Sequence, residues 1–203
     1  MPVVFDAIFT TRDNKFRIII VNCTYQIYTA ALIICGAVSL VIALWAGHMN
    51  AKRLPKWEKL PRNRNIGVVL AFLCLLWCVP QAKPIVWEWL LAWLYPLVLV
   101  FTVLSFLFLD YLFSRALGGF FILLTYYFVH EAFTFHTPLT ALLAVSCWAL
   151  GIAGLFFSGK PHLLRDFIRK IAGSVRIRYI TCFYFVFFGV LCLTLGIIHA
   201  TRS

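Results

Sequence analysis

The sequence predicts an all-α membrane protein: six transmembrane helices and one amphipathic helix on the cytoplasmic face, forming a single domain over 1–203. Three observations predict it. The chain is 63% hydrophobic and 12% charged, with a mean hydropathy of +0.94. That leaves too little polar surface to cover a soluble core of this length. The apolar residues come in continuous runs, unlike the short alternating segments of a β-barrel. Without water in the hydrocarbon, each run satisfies its backbone only as a helix. The basic residues gather in two loops, Lys52, Arg53, Lys56, Lys59, Arg62, Arg64 and Lys160, Arg165, Arg169, Lys170, Arg176, Arg178.

Residues 1–17 lack a basic n-region followed by an apolar h-region, so no cleaved leader is expected. Val3, Val4, Phe5, Ile8 and Phe9 suit a short interfacial turn. The spans follow at about 22–47, 66–82, 86–110, 117–135, 139–158 and 179–199. The second, bounded by Arg64 and by Pro80, Lys83 and Pro84, is close to the minimum for a core of about 30 Å. Were it re-entrant, the later spans would flip and the basic loop at 160–178 would move outside. With six spans, 13 of the 18 Lys and Arg residues lie inside. The charge rule therefore favours six, with both basic loops cytoplasmic and both termini outside, as in a bacterial inner membrane. The two long basic loops then share a face, which an inverted three-plus-three repeat would not give.

Residues 160–172 differ in character. Leu163, Leu164, Phe167, Ile168 and Ile171 recur at helical spacing, and Lys160, Arg165, Arg169 and Lys170 take the other side. This predicts a surface helix with its apolar face on the cytoplasmic leaflet. Its four basic residues would then bind anionic head groups or a partner. The formal net charge of +11 follows the loops, and no nucleic-acid motif accompanies it.

Small residues form lines suited to close helix packing: Gly36, Ser39, Ala43 and Gly47 in the first span, Ala149, Gly151, Ala153 and Gly154 in the fifth, Cys182, Gly189 and Gly196 in the sixth. They serve packing within the chain or contact with another subunit. The seven cysteines lie in or beside apolar segments; Cys74 and Cys78 are four apart, not the CxxC spacing of a redox or zinc motif, and read as small apolar residues. Trp87 and Trp89 suit the outer interfacial belt.

Ionisable groups within a bilayer cost roughly 2.5–3.5 kcal/mol each, so each invites a functional reading. Most gather near the outer ends of spans: Glu88 opening the third, His130 and Glu131 closing the fourth, His136 in the next turn, His199 closing the sixth. Gln26 lies in the polar outer part of the first, with Tyr25, Tyr28 and Thr29. Gln26, Glu88, His130, Glu131, His136 and His199 form the candidate ligand-binding cluster, for a quinone, a lipid head group or a small solute. A b-type haem is the further alternative, since His130 and His199 stand at similar depth, as two axial ligands require. An inner pair, His48 and His162, would enclose haem poorly. Asp110 reads as a local ion pair with Arg115; no second acid occupies the middle of a span to extend a proton relay. No GxSxG, P-loop, GxGxxG, EF-hand or HExxH pattern occurs. The expected function is a non-catalytic integral subunit or accessory protein of a membrane complex, with no resident cofactor. A small transporter or solute-binding protein is the alternative.

Overall fold

The computed structural model describes residues 13–49, 54–57, 64–83, 86–109 and 111–202, without the side chains of 13–23, Pro55, Lys56, Glu88 and Arg202. The interfacial turn expected at 3–9 and the Asp110–Arg115 ion pair lie outside these residues. The described chain is helical: α1 Asp13–Gly47, α2 Leu54–Trp57, α3 Arg64–Ala82, α4 Glu88–Leu91, α5 Leu94–Phe108, α6 Leu112–Thr134, α7 Thr140–Gly159, α8 His162–Gly173 and α9 Val175–Arg202.

Five helices are long and apolar enough to cross a membrane: Thr24–Gly47 within α1, then α3, α6, α7 and Val175–Thr201 within α9. These are the expected first, second, fourth, fifth and sixth spans. The third is not one helix. Over 86–110 the chain forms α4, turns at Ala92 and Trp93, and continues as the 15-residue α5. Pro96 accounts for the break. It has no N–H, and its ring crowds the carbonyl four residues back, that of Ala92. Trp93 N–H instead bonds to Leu90 O at 3.0 Å, a tightened turn, before Leu97 N–H bonds to Trp93 O at 2.9 Å. Alone, α5 is about 22 Å long against about 30 Å of hydrocarbon.

Contacts fix the helix directions. α1 and α9 are antiparallel: Cys182 Sγ donates to Ala43 O at 3.4 Å, and Tyr25 Oη donates to His199 O at 2.9 Å. α6 and α7 are antiparallel: Ser114 Oγ donates to Phe157 O at 3.3 Å, and Thr125 Oγ1 to Cys147 O at 2.9 Å. α3 is parallel to α6, with Cys74 Sγ 3.6 Å from Ala116 O and Trp77 against Phe120 and Tyr127. α5 runs against α3: the Arg64 guanidinium lies 5.4 Å from the Phe106 ring at one end, and Lys83 Nζ 5.8 Å from the Tyr95 ring at the other. One end of the bundle, the terminal end, therefore gathers the starts of α1, α5 and α7 and the ends of α3, α6 and α9. The basic end gathers the opposite helix ends with α2 and α8.

Glycines set the closest approaches. A Cβ on Gly118 of α6 would meet Gly154 O of α7 at 2.5 Å, and one on Gly189 of α9 would meet Gly36 O of α1 at 3.0 Å. The small-residue lines of α1 and α9 are thus engaged with each other. In α7 only part of the expected line faces α6: Gly151 and Gly154 do, and Ala149 is exposed. The core joins α1, α6, α7 and α9 through Leu32, Phe128, Leu143, Phe188, Leu191 and Leu195, all buried. Cys147 and Cys192 sit in this core as small apolar residues. α3 attaches through Ala71 against Leu112 and Ala116, and α5 flanks α3 with only Val98 and Thr102 buried.

The amphipathic stretch is helical as α8, and three residues of its apolar face pack against the bundle while Leu163 and Phe167 are half-buried. Leu164, Ile168 and Ile171 are buried against Met49 of the α1 terminus, with Leu54 and Trp57 of α2 and Phe113, Leu117 and Phe157 packed around them. The reason lies in the bundle: the ends of α1, α6 and α7 leave an apolar floor that water would otherwise cover, and α8 covers it instead.

Candidate functional site

At the terminal end, α1, α6 and α9 converge on a buried aromatic cluster. Tyr28 is fully buried at its centre, with ring centroids 5.6 Å from Phe135, 6.3 Å from Phe128, 6.4 Å from Tyr127 and 5.4 Å from His199. The His199 ring, 3% exposed, is also 4.9 Å from the Tyr25 ring. The edge-to-face geometries at Tyr28 are those aromatic quadrupoles favour. The turn from α6 to α7 closes beneath the cluster. Thr137 N–H and Oγ1 both donate to Ala132 O, at 3.1 and 3.3 Å, and Thr140 Oγ1 donates to Thr137 O at 2.6 Å. To bend so tightly, the turn holds His136 and Leu139 at φ values of 48 and 59°, a left-handed region costly for residues with a Cβ.

Of the six residues expected to form this site, the structure places one, His199, inside the cluster. Glu131 is beside it, its side chain 14% exposed, with His130 Nδ1 3.6 Å from its Oε1. His130 itself faces outward, 57% exposed and stacked on Tyr126 at 5.7 Å. His136 is exposed and donates from Nδ1 to Thr134 O at 3.3 Å. Gln26 is exposed on the far side of α1 from Tyr28. The Glu88 side chain lies outside the described residues. His130 is thus exposed where His199 is buried. At the other end, His48 and His162 are both exposed. Among the described residues, no three His, Cys, Asp or Glu side chains gather as a metal-binding group. Phe135 and Thr137 were missed as members. Their signal was present in the short FHTPLT turn, which must pack under the last turn of α6.

The basic end carries the second candidate surface. On the polar face of α8, Arg169 and Lys170 are exposed and Arg165 is partly buried with Nε 3.9 Å from Asp166 Oδ1; Lys160, at the end of α7, is also exposed. Arg178, at the start of α9, donates from Nη1 to Met49 O at 2.7 Å and ties the end of α1 to the start of α9. Beside that tie, the outer side of α1 and Trp57 of α2 enclose a groove of about 290 Å³ lined by Val41, Leu44, Trp45, His48, Met49 and Trp57.

Compared with protein-family models, curated proteins and solved structures, the chain matches none.

Proposed function

We propose that this chain is a non-catalytic integral subunit or accessory protein of a larger membrane assembly, seated in a bacterial inner membrane. The observation that carries this reading is the filled interior. The middle of the four-helix core is occupied by Leu32, Phe128, Leu143, Phe188, Leu191 and Leu195. A solute path through the bundle needs polar groups at that depth. In this reading α4 and α5 together complete a sixth crossing, both basic loops face the cytoplasm, and both termini lie outside. The antiparallel run of α5 along α3 and the gathering of basic residues at one end support it.

The partner face in this reading is α5. It is shorter than the hydrocarbon is thick, and its outer side, including Leu99, Phe101, Leu104 and Leu107, is exposed. A short helix on a bundle's flank relieves its mismatch by thinning the bilayer or by oligomerising. Native mass spectrometry of the chain, released gently from its own membrane, tests this. Added protein mass at fixed stoichiometry, lost in Leu104→Gly with the fold retained, is the expected result. A bare chain overturns it.

One observation favours a second reading, a quinone or small solute held at the terminal end. The buried Tyr28 hydroxyl meets the Thr137 side chain but makes no hydrogen bond of good geometry with it, although a buried hydroxyl ordinarily has one. A retained small-molecule mass that Tyr28→Phe abolishes would establish it.

A further inference from the structure

We propose that Cys35 of α1 and Cys192 of α9 are a redox-active dithiol that a membrane quinone oxidises to a disulfide. This goes beyond the subunit reading and does not depend on it. The helices bring the two residues together. α1 and α9 cross backbone to backbone: a Cβ on Gly36 would meet Gly189 O at 3.0 Å and Leu193 Cγ at 2.7 Å. Gly36 is thus level with the turn 189–193 of its antiparallel neighbour, which puts Cys35 level with Cys192. Both stand on the side of the crossing that faces the four-helix core, both are free thiols, and their side chains meet there. Close backbone approach is what a bridge between helices requires, since the Cα atoms of a disulfide stand about 4.4–6.8 Å apart.

Depth and exposure select the oxidant. Cys35 stands at the middle of the Thr24–Gly47 span, about 17 Å from either end at 1.5 Å per residue. Charged, water-soluble oxidants such as glutathione disulfide do not partition to that depth. Cys192 is fully buried, but Cys35 is half-buried at the rim of the core, and Ile34 beside it is 62% exposed. Cys35 is therefore the thiol that a lipid-soluble electrophile meets first, and Cys192 the one that resolves the adduct. The Cys35 sulfur adds to a carbon of the quinone ring, and its proton passes to a ring oxygen. The Cys192 sulfur then attacks the Cys35 sulfur. The carbon–sulfur electron pair returns to the ring, and the Cys192 proton passes to the second oxygen. Two thiols are oxidised to one disulfide, and one quinone is reduced to one hydroquinone. No charge need remain in the low-dielectric interior, where it would be costly.

Incubation of the reduced full chain in nanodiscs with a short-tailed ubiquinone, without oxygen, tests the proposal. The disc contains only this chain, so the result is independent of whether a partner subunit exists. The expected result is one hydroquinone formed per chain, an intact mass lower by two hydrogens, and a non-reduced peptide map that links Cys35 to Cys192. Oxidised glutathione at the same concentration leaves the thiols reduced. Cys35→Ala and Cys192→Ala each abolish hydroquinone formation. Cys78→Ala on α3, a half-buried thiol like Cys35, leaves it unchanged. No bridge in the wild-type chain, a bridge that takes Cys147 or another thiol in place of either partner, equal oxidation by glutathione disulfide, or an equal loss in Cys78→Ala overturns the proposal.

Discussion

The two ends of the bundle are closed by different physics. At the terminal end, rings close it: Tyr25, Tyr28, Phe128, Phe135 and His199 fill the space between three helices, and the hydrogen bonds there are between uncharged groups. At the basic end, a separate helix lies across the bundle, and a guanidinium ties α1 to α9. The contrast follows from what each end contains. The connection between α6 and α7 at the terminal end is short, so these two helices close there with their own side chains. The chain after α7 supplies a lid, α8, and Arg178 of α9 reaches the Met49 carbonyl just beyond α1.

Emptying the aromatic end should produce the largest effect. Phe128→Ala removes a fully buried ring from between Tyr28 and Tyr127. In lipid the cost is lost packing and not exposure to water, which puts it near the lower limit for such changes, about 3 kcal/mol. Phe133→Ala, five residues on and 60% exposed, should be near neutral. Thermal unfolding in detergent should separate the two variants by many degrees. Equal midpoints would mean that the aromatic cluster does not hold this end.

Releasing the basic end should cost less. Arg178→Met keeps the apolar stem and removes the charged donor on Met49 O, worth about 2 kcal/mol for a hydrogen bond with one ionised partner. The loss should be local. Hydrogen exchange should quicken at the end of α1, the start of α9 and in α8, and stay slow around Tyr28. Exchange that quickens equally at both ends would show that the ends are coupled and are not independent closures.

Sequence made these two ends unequally legible. α8 was readable because its polar and apolar sides differ, and a 3.6-residue period then appears within twelve residues. What lay under it was not readable: lipid and the floor of a helix bundle are equally apolar, so a stripe of Leu and Ile suits both. The spans themselves suffer the same degeneracy more severely. A helix that is apolar all round shows no periodicity, because its lipid side and its protein side have the same composition. Depth along the helix was therefore recoverable and direction around it was not. His130 and His199 share a depth, yet His130 faces outward and His199 inward. Gln26, two residues before Tyr28, faces away from the site for the same reason. The break before α5 was signalled by Pro96, but a hydropathy reading weighs composition and passes over a missing N–H.

Two tyrosines one turn apart sharpen the account of the aromatic end. Tyr25 Oη donates to His199 O at 2.9 Å, whereas the buried Tyr28 Oη meets the Thr137 side chain without a hydrogen bond of good geometry. Tyr25→Phe should lose about 1 kcal/mol, the net worth of a neutral hydrogen bond, and Tyr28→Phe should be neutral or slightly stabilising. The pair discriminates because both changes preserve the ring and its contacts. A destabilising Tyr28→Phe would mean that its hydroxyl has an acceptor, and purification with added quinone would then show whether a ligand provides it.

The smallest effects concern backbone strain, where the two ends should prove alike. The terminal end holds Leu139 at a φ of 59° just before α7, and the basic end holds Tyr111 at 55° just before α6. Each carries a Cβ in the left-handed region, at a cost of roughly 1–2 kcal/mol that glycine avoids. Glycine returns part of that gain through the extra freedom it gives the unfolded chain, about 0.5–1 kcal/mol. Leu139→Gly and Tyr111→Gly should therefore each stabilise by about 0.5 kcal/mol. Because the two turns lie at opposite ends of the bundle, the double variant should show the sum. Midpoints that rise for one turn and fall for the other would show that the loser's side chain holds its end in place. For Leu139, 60% exposed, that would extend the aromatic closure to a residue on its rim.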